Sequence, residues 1–391
     1  SRTQQRILVA VMSKDTAEKR IHRGLKGVYF DRSPATYIDG QAGELRYYGY
    51  SIHDLAAHST FEETAYLLLH GELPDQAELA AFDASLKAER QLPESIFDII
   101  KSICTAHPMD VLRTAVSALA AFDPDTADNS AEATIRKGIR LSSQVPIIVA
   151  AHHRLREGKA LIAPDQTLGH AANFLAMLSG EPPSEGAARL MDLDFILHAE
   201  HGSNASSFTA RVVAGTDANL HAAVTAAIGA LSGPAHGGAA ENVMKMAREI
   251  GDPGEAKAYV KAKRANREAI MGFGHRVYRA EDPRARHLRD GVERLSVEKG
   301  EPQWNQILVA LVEAMKPYSR HGVNVNVDFY SGVIYHLHGI SQDLFVPIFA
   351  VGRVPGWTLQ VLQQMESNIL IRPLLQYNGP DLKTYTPLQD R

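Results

Sequence analysis

Apolar residues recur at helical spacing along most of this chain. The periodic segments, each of which predicts a helix, span residues 61–69, 77–86, 111–119, 171–178, 187–198, 222–231 and 239–250. Ser59 and Glu62 form a capping-box pattern before the first segment, and Gly71 and Pro74 end it. Segment 222–231 is apolar on every side, which indicates a helix buried inside a bundle. We therefore predict a mainly α protein.

The residues before the first helix have a different pattern, that of short strands separated by turns. β-branched and aromatic residues cluster at 28–30, 36–38 and 45–48, with glycines between them. These stretches are too short for a large sheet. They predict a small β element near the N-terminus.

A Gly/Pro break at residues 232–238 divides the helical pattern, because an apolar helix ends there and a more charged segment follows. We predict a large domain over residues 1–235, a smaller helical domain over 236–335, and a return to the large domain over 336–391. Residues 1–11 are expected to be a leader, a cloning remnant or a misassigned start, with no functional role.

Composition narrows the classes of function. The 391 residues carry a formal net charge of -4 and contain no long Lys/Arg block, which argues against a dedicated nucleic-acid binder. The single cysteine, Cys104, excludes an internal disulfide and Cys-pair metal sites, and it is typical of a reducing cytoplasm. No apolar run reaches the roughly eighteen residues of a membrane span, so no membrane association is expected.

Two histidines and one aspartate are the strongest candidates for chemistry. His236 lies between glycines and just before the predicted helix 239–250, where the helix dipole favours a neutral imidazole that donates a hydrogen bond. His275 follows Gly274, and Asp328 lies in a late Asn-Val-Asp segment. Together they offer two proton donors and a carboxylate base, as proton transfer at carbon and carbonyl oxygen requires. For His236 alone, a structural histidine in a turn is the alternative.

Four arginines are candidates for holding an anion. Arg279 and Arg284 follow His275 closely, and solvated arginines are the alternative reading there. Arg353 and Arg372 interrupt apolar segments, so each must be paired or must hold a ligand. An internal salt bridge is the alternative for these two, and the sequence does not separate the readings.

A second pair of histidines raises the question of a metal. Residues 196–204 place His198 and His201 one helical turn apart on one face, so a metal-dependent hydrolase that also uses a carboxylate is an alternative function. Zinc-binding histidine pairs on helices are usually at i and i+4, whereas these are at i and i+3. We therefore expect no metal site.

The chain resembles the citrate synthase family from about Gly24 to the C-terminus. Ten short motifs carry the resemblance, among them GPAHGG, GFGHRVY and NVDFYSG. They occupy residues 48–50, 61–71, 107–109, 198–201, 233–238, 272–278, 282–284, 326–332, 356–357 and 371–373. The resemblance implies a mainly α-helical homodimer of the short bacterial type, with the active site in the cleft between a large and a small domain. It also implies domain closure over oxaloacetate and acetyl-CoA, with no further cofactor.

The resemblance implies a role for each candidate group. Asp328 removes a methyl proton from acetyl-CoA, His236 donates to the thioester oxygen, and His275 protonates or polarises the ketone of oxaloacetate. Citryl-CoA forms and is hydrolysed. The expected oxaloacetate ligands are His201, Arg284, Arg353 and Arg372, the last of these from the second subunit, and the expected CoA contacts are Met271, Gly272, Gly274 and Arg279.

Two further readings remain open. The 2-methylcitrate synthases, which use propionyl-CoA, share almost every motif, although NVDFYSG favours citrate synthase. Since one methyl group in an apolar pocket is worth only about 1–3 kcal/mol, the preference is modest. A helical scaffold that has lost its chemistry is the last alternative, and the presence of His236, His275 and Asp328 argues against it.

Overall fold

The computed structural model describes residues 21–391, so the expectation for residues 1–11 lies outside the described residues. The described chain falls into two compact units. One unit is Pro34–Leu370. The other combines residues 21–33 with Ile371–Arg391 and contains only short 3-10 turns, at Arg23–Leu25 and Leu388–Asp390.

Helices dominate the larger unit, which confirms the predicted mainly α class. The first eight are α1 Ile52–His58, α2 Phe61–His70, α3 Gln76–Ala88, α4 Glu94–Ser102, α5 Pro108–Leu119, α6 Ala131–Arg156, α7 His170–Ser179 and α8 Glu185–His198. The next eight are α9 Ala205–Ala214, α10 Leu220–Leu231, α11 Ala239–Ile250, α12 Ala256–Ala265, α13 Arg286–Glu298, α14 Pro302–Ser319, α15 Asp328–Leu337 and α16 Phe345–Glu366.

A small antiparallel sheet precedes the helices, as the sequence predicts. Its strands, in spatial order, are β1 Thr36–Asp39, β2 Glu44–Tyr47 and β3 Tyr50–Ser51, with Thr36 opposite Tyr47. The predicted strand at 28–30 is wrong. Those residues belong to none of the described strands, and the Tyr29 side chain is almost fully exposed, so the apolar pattern there does not face this sheet.

The start of α2 differs from the predicted capping box by one residue. Thr60 is the N-cap, and its hydroxyl oxygen accepts the backbone N–H of Glu63 at 3.1 Å. Ser59 instead shares a 3.0 Å hydrogen bond with the Thr64 hydroxyl, so it is not free to cap. The predicted stop is correct, because Gly71 has φ of 80° at the helix end.

Helix α16 lies at the centre of the core. It packs against α6, α8, α9 and α10. The segment Gln342–Glu366 has the length and mean hydropathy of a membrane span, yet 94% of its most apolar window is buried inside the fold. That burial is typical of the core helix of a bundle.

Helix α10 is only partly buried, contrary to the prediction. Its face with Val224, Ala227 and Ile228 is buried, whereas Ala222 is exposed and Ala226 is half-buried. Because small apolar residues occur on both faces, the sequence did not distinguish the core side from the outer side.

The helices between residues 239 and 337 pack largely on one another. Helix α11 contacts α15, α12 contacts α14, and α13 contacts α14 and α15. Helix α13 also packs on α8, which joins this group to the helices before it. The division into domains at residues 236 and 335 stays a prediction.

Candidate active site

Two of the candidate groups precede or begin the helices α11 and α15, which cross closely. A Cβ atom at Gly332 would lie 2.3 Å from the Ala240 carbonyl oxygen, so only glycine permits this approach of the two backbones. Asp328 begins α15 one turn before Gly332, and His236 lies just before α11. Both groups therefore belong to the same junction.

His236 is held by a hydroxyl group from α9. Its Nε2 lies 2.9 Å from Oγ of Ser206, and that oxygen also accepts the indole N–H of Trp357 at 3.0 Å. Burial lowers the pKa of His236 to about 4, and the positive charge of Arg353 acts in the same direction. At neutral pH the ring is therefore uncharged, and burial and Arg353 are the causes.

His275 is oriented by its own loop. Its Nδ1 accepts the backbone N–H of Val277 at 2.9 Å and lies 3.3 Å from that of Tyr278. Burial lowers the pKa of His275 to about 4, and the Arg284 charge adds to this effect. Since Nδ1 is an acceptor, the neutral ring carries its proton on Nε2. His275 is thus a neutral donor through Nε2.

Asp328 is a partly buried carboxyl group at the first position of α15. Burial raises its pKa, although the positive charges near it, those of His198 and Arg284, oppose the change. A carboxylate with a raised pKa is a stronger base than a solvated one.

His198 lies close to Asp328, and its charged form is favoured by Asp194. Burial alone would lower its pKa, but the Asp194 carboxylate, 3.3 Å from its Nδ1, outweighs burial and raises it. Asp194 in turn accepts the hydroxyls of Ser331 at 2.9 Å and Tyr335 at 2.6 Å. Asp194 therefore ties α15 to α8 and anchors the helix that carries Asp328.

Two buried arginines have different partners. Arg284 makes a fork with Asp282, with Nε and Nη2 donating at 2.9 and 2.8 Å. Asp282 also accepts the Val327 N–H at 3.1 Å, next to Asp328. Arg284 and Asp282 thus form a buried ion pair. The alternative of a solvated arginine is therefore wrong for Arg284.

Arg353 has no such carboxylate partner among residues 21–391. Its Nε donates to the His198 carbonyl oxygen at 2.5 Å, and its guanidinium lies 4.7 Å from the Phe349 ring centroid. Its Nη1 is buried and, among the described residues, has no hydrogen-bond partner. Burial lowers the pKa of Arg353 to about 10, against the opposing carboxylate of Glu200. A buried guanidinium without a carboxylate partner indicates a site for an anionic ligand.

His201 lies beside these groups, but not on α8. That helix ends at His198, and the Tyr47 hydroxyl donates to the carbonyl oxygens of Ile196 at 3.0 Å and Glu200 at 3.1 Å. The predicted helical i, i+3 pair is therefore wrong, because the chain leaves the helix between His198 and His201. In the part of the chain that the structure describes, no cluster of three His, Cys, Asp or Glu side chains is arranged to hold a metal ion.

The rings of His201 and His275 face the same space. Their centroids are 5.6 Å apart, and Nε2 of His201 lies 2.7 Å from the Tyr278 hydroxyl. Burial lowers the pKa of His201 well below its usual value, with Arg284 adding to the effect. The predicted ligand His201 and the predicted acid His275 are thus neighbours.

Residues 271–274, which are expected to contact CoA, are held by backbone hydrogen bonds to residues 324–326. Gly274 donates its N–H to Asn324 at 2.7 Å, and Asn326 donates to the Gly272 carbonyl at 2.9 Å. Gly272 has φ of 82°, and a Cβ there would lie 2.7 Å from the Phe329 ring. Beside Gly274 the space is open, so a ligand has access to this backbone.

Three other predicted contacts are exposed. Met271 is 38% exposed, and Arg279 is exposed with Nη1 donating to the His275 carbonyl oxygen at 3.0 Å. Arg372 belongs to the unit formed by residues 21–33 and Ile371–Arg391, where its guanidinium donates to the Pro373 carbonyl oxygen at 2.8 Å. Its relation to the other candidates stays a prediction.

Three residues of the site were missed by sequence reasoning: Ser206, Asp194 and Tyr278. Ser206 lies in a serine-rich stretch typical of a helix start, which hides its bond to His236. Asp194 had a usable signal, since it precedes His198 by four residues on one helix. Tyr278 meets His201 across 77 residues of sequence, and no local pattern reveals such a contact.

The arrangement has the features of an enzyme site that binds a small anion and moves protons, because two neutral histidines, a carboxyl group and the buried guanidiniums of Arg284 and Arg353 act on one another electrostatically. The family model described as "Citrate synthase, C-terminal domain" matches residues 24–374. The chain therefore belongs to the citrate synthase family, an acyltransferase family, as its sequence motifs indicate.

Individual relatives cover almost the whole chain. It is 43% identical to a citrate synthase of Deinococcus radiodurans over 373 residues, with 95% of this chain and 99% of the relative covered. Citrate synthase 2 of Bacillus subtilis is 44% identical, with coverages of 94% and 99%. A 2-methylcitrate synthase of Mycobacterium tuberculosis is 43% identical, with coverages of 94% and 93%.

Solved structures agree with this assignment. Citrate synthase from Pyrobaculum aerophilum superposes with a TM-score of 0.91 at 39% identity, and 95% of each chain is covered. Citrate synthase from Thermoplasma acidophilum, solved as a ternary complex with carboxymethyl coenzyme A and oxaloacetate, has a TM-score of 0.89 at 29% identity, with 95% of this chain and 100% of that chain covered.

Proposed function

We propose that this protein condenses acetyl-CoA with oxaloacetate and hydrolyses the resulting citryl-CoA to citrate and CoA. The observation that carries the proposal is the buried guanidinium of Arg353, whose Nη1 has no hydrogen-bond partner among the described residues and whose charge acts on both neutral His236 and the carboxyl group of Asp328. The Thermoplasma acidophilum relative, whose complex contains oxaloacetate and a coenzyme A derivative, supports the choice of substrates.

Oxaloacetate is a dianion, and the site offers positive charge for it. Arg353 has a buried Nη1 without a partner among the described residues, so a substrate carboxylate supplies the missing acceptor. Arg284 adds a second guanidinium that Asp282 holds rigidly in place. His201 completes the set as a neutral hydrogen-bond donor.

Carbon–carbon bond formation begins with loss of a methyl proton from acetyl-CoA to Asp328. A carboxylate is a weak base for such a carbon acid, so the enolate charge on the thioester oxygen must be stabilised as it forms. His236 does this by donating from Nδ1, while Ser206 holds its Nε2. The base and the oxyanion stabiliser therefore act in the same step.

The enol carbon then attacks the ketone carbon of oxaloacetate. His275, with its proton on Nε2, donates that proton to the ketone oxygen as the bond forms. The product is citryl-CoA. Water then attacks the thioester carbon, the C–S bond breaks, and CoA leaves as the thiol.

Coenzyme A enters as a substrate, and no resident cofactor is part of the proposal. The open space beside Gly274 gives it access to the backbone of residues 271–274, and the exposed guanidinium of Arg279 is available for a phosphate group. Gly272 and Met271 lie in the same segment.

The functional unit is a homodimer in which Arg372 completes the partner's site. Two surfaces support association with a second copy. The outer face of α10 consists of small residues, which permit close helix packing. The segment Ile371–Arg391 exposes a series of large apolar side chains to solvent, namely Leu374, Leu375, Tyr377, Leu382, Tyr385 and Leu388.

The enzyme works in the cytoplasm and closes around its substrates. Cys104, the single cysteine, requires no oxidising compartment. Closure follows from the chemistry, because water must be excluded during condensation and admitted for hydrolysis. Glycine-rich segments 233–238 and 272–274 are where the backbone adjusts. Hydrogen exchange that is equal in these segments with and without oxaloacetate contradicts this motion.

The test is release of thiol from acetyl-CoA and from propionyl-CoA, each with oxaloacetate, compared as kcat/KM. We expect acetyl-CoA to have the higher value. A higher value for propionyl-CoA assigns the chain to the 2-methylcitrate synthases, one of which is 43% identical. Full activity after exhaustive chelation removes the metal-dependent alternative, and no turnover with either thioester contradicts the proposal.

A further inference from the structure

Tyr278 packs against both of the histidines proposed to face oxaloacetate. Its ring centroid is 4.7 Å from that of His275 and 5.4 Å from that of His201. Its hydroxyl oxygen lies 2.7 Å from Nε2 of His201, and its side chain is 1% exposed. The sequence motif GFGHRVY contains this tyrosine, but none of the proposed catalytic steps uses it.

The hydrogen bond runs from the phenol to the imidazole. Burial raises the pKa of Tyr278, so its hydroxyl stays protonated, and burial keeps His201 neutral. Among the described residues, the hydroxyl has no second partner. If His201 donated, the phenol hydrogen would be buried without an acceptor, which costs more than an unused lone pair. Nε2 of His201 is therefore the acceptor.

This direction decides which nitrogen of His201 meets the substrate. A neutral imidazole that accepts at Nε2 carries its proton on Nδ1. Within the described chain, no residue accepts a hydrogen bond from that Nδ1, and its neighbours Arg284, His275, Arg353 and His198 supply no acceptor charge. The Nδ1–H group is thus available to a ligand.

We propose that Tyr278 is a positioning residue that fixes the tautomer and the ring orientation of His201, so that Nδ1–H donates to a carboxylate of oxaloacetate. This rests on the proposed function of the site. The same tyrosine also directs a backbone N–H toward Nδ1 of His275 at 3.3 Å. One residue thereby presents both histidines as donors to one substrate.

The loop that carries Tyr278 is well anchored for this role. The next residue, Arg279, donates its N–H to the Gly40 carbonyl at 2.7 Å, and Asn324 donates its side-chain amide to the Arg279 carbonyl at 3.2 Å. Since the backbone is held on both sides, the phenol ring has little freedom, and its hydroxyl is directed by the fold.

The substitution Tyr278→Phe tests the inference because it keeps the ring and removes only the hydroxyl. Loss of one hydrogen bond to a ligand-binding group predicts a rise of roughly five- to tenfold in KM and Kd for oxaloacetate. We expect kcat and KM for acetyl-CoA to change much less. Tyr66→Phe is the matched control, because Tyr66 is buried and donates its hydroxyl to Glu78 at 2.7 Å. That variant should leave oxaloacetate binding unchanged.

A double-mutant cycle separates positioning from packing. Tyr278→Phe should weaken oxaloacetate binding in the unaltered protein and should have no further effect in a His201→Gln background. Equal effects in both backgrounds, or no effect in either, overturn the inference. Failure of the proposed function is a different result, in which the unaltered protein neither binds oxaloacetate nor releases thiol from acetyl-CoA.

A second measurement uses the unaltered protein, so it does not depend on whether a variant folds. Nitrogen-15 NMR of the histidine-labelled, unaltered protein distinguishes the two neutral tautomers of His201. We expect the proton on Nδ1, and a proton on Nε2 contradicts the inference.

Discussion

Nε2 of His236 lies 2.9 Å from Oγ of Ser206, and two other groups share that oxygen. The Trp357 indole donates to it at 3.0 Å, and the Asn204 side-chain oxygen lies 2.9 Å away. Ser206 has a single hydroxyl proton, which is directed to either His236 or Asn204. Only the first arrangement leaves His236 with its proton on Nδ1, where the proposed chemistry needs it.

Replacement of this hydroxyl should therefore impair the chemical step. In Ser206→Ala, Nε2 of His236 loses its partner, and we expect kcat to fall by about 10- to 100-fold with little change in KM for oxaloacetate. Ser207→Ala is the control, since the Ser207 hydroxyl is buried and has no hydrogen-bond partner among the described residues. Steady-state kinetics measure kcat for both variants. Equal losses of kcat would argue against a specific role of Ser206.

The crossing of α11 and α15 predicts that position 332 does not accept a side chain. In Gly332→Ala the added methyl group meets the Ala240 carbonyl oxygen and must push the helices apart. We expect a loss of about 1–3 kcal/mol in the free energy of unfolding, together with a lower kcat. Gly186→Ala, where a Cβ meets no atom within 4 Å, should not destabilise the protein. Urea unfolding monitored by circular dichroism measures both.

Folding stability should fall on the acid side of neutrality, and His170 carries part of this effect. Burial lowers the pKa of His170 from 6.5 to about 3, with Arg90 adding to the shift. The unfolded chain therefore binds more protons than the folded one between these values, so stability falls as pH falls from about 6.5 toward 3.

The variant His170→Phe removes this contribution. Between pH 7 and pH 5 the free energy of unfolding should fall in both proteins. The fall should be about 2 kcal/mol smaller in the variant than in the unaltered protein. The comparison across pH cancels the effect of the changed shape beside Phe61, on which His170 stacks at 4.4 Å. His58→Gln, which replaces an exposed histidine, is the control for loss of an imidazole. An identical acid loss in the His170 variant contradicts the burial argument.

The dimer proposal predicts complementation between two inactive proteins. His236→Ala and Arg372→Ala subunits, when mixed and allowed to exchange, form heterodimers with one intact and one doubly defective site. We expect about one quarter of the activity of the unaltered protein in a statistical mixture. If Arg372 served its own subunit, the mixture would stay inactive. Light scattering of each variant checks that both are dimers.

The sequence predicted the helical class and the main candidate residues because both have local signals. Periodicity marks the helices, and flanking glycines mark His236 and His275. The prediction that His198 and His201 share a helix failed, because the helix ends at a contact with Tyr47, from a strand far away in the sequence.

The sequence pattern also did not predict which buried arginine has a carboxylate partner. Arg284 and Arg353 look alike as buried arginines, yet Arg284 has a carboxylate two residues away and Arg353 has none among the described residues. The outer face of α10 shows the same limit, since Ala222 and Ala223 are equally apolar but only Ala223 is buried. Tertiary neighbours decide these cases, and only the fold shows them.

The central claim is that Asp328 is the base that removes the methyl proton, and thiol release by Asp328→Asn tests it most directly. The variant keeps the size of the side chain and removes its basicity, so kcat for thiol release from acetyl-CoA should fall by at least about a thousandfold, while calorimetry shows oxaloacetate still bound. Asp290→Asn, on the exposed side of α13, should retain full activity. Turnover within a few-fold of the unaltered protein in Asp328→Asn would contradict the claim and place the base elsewhere.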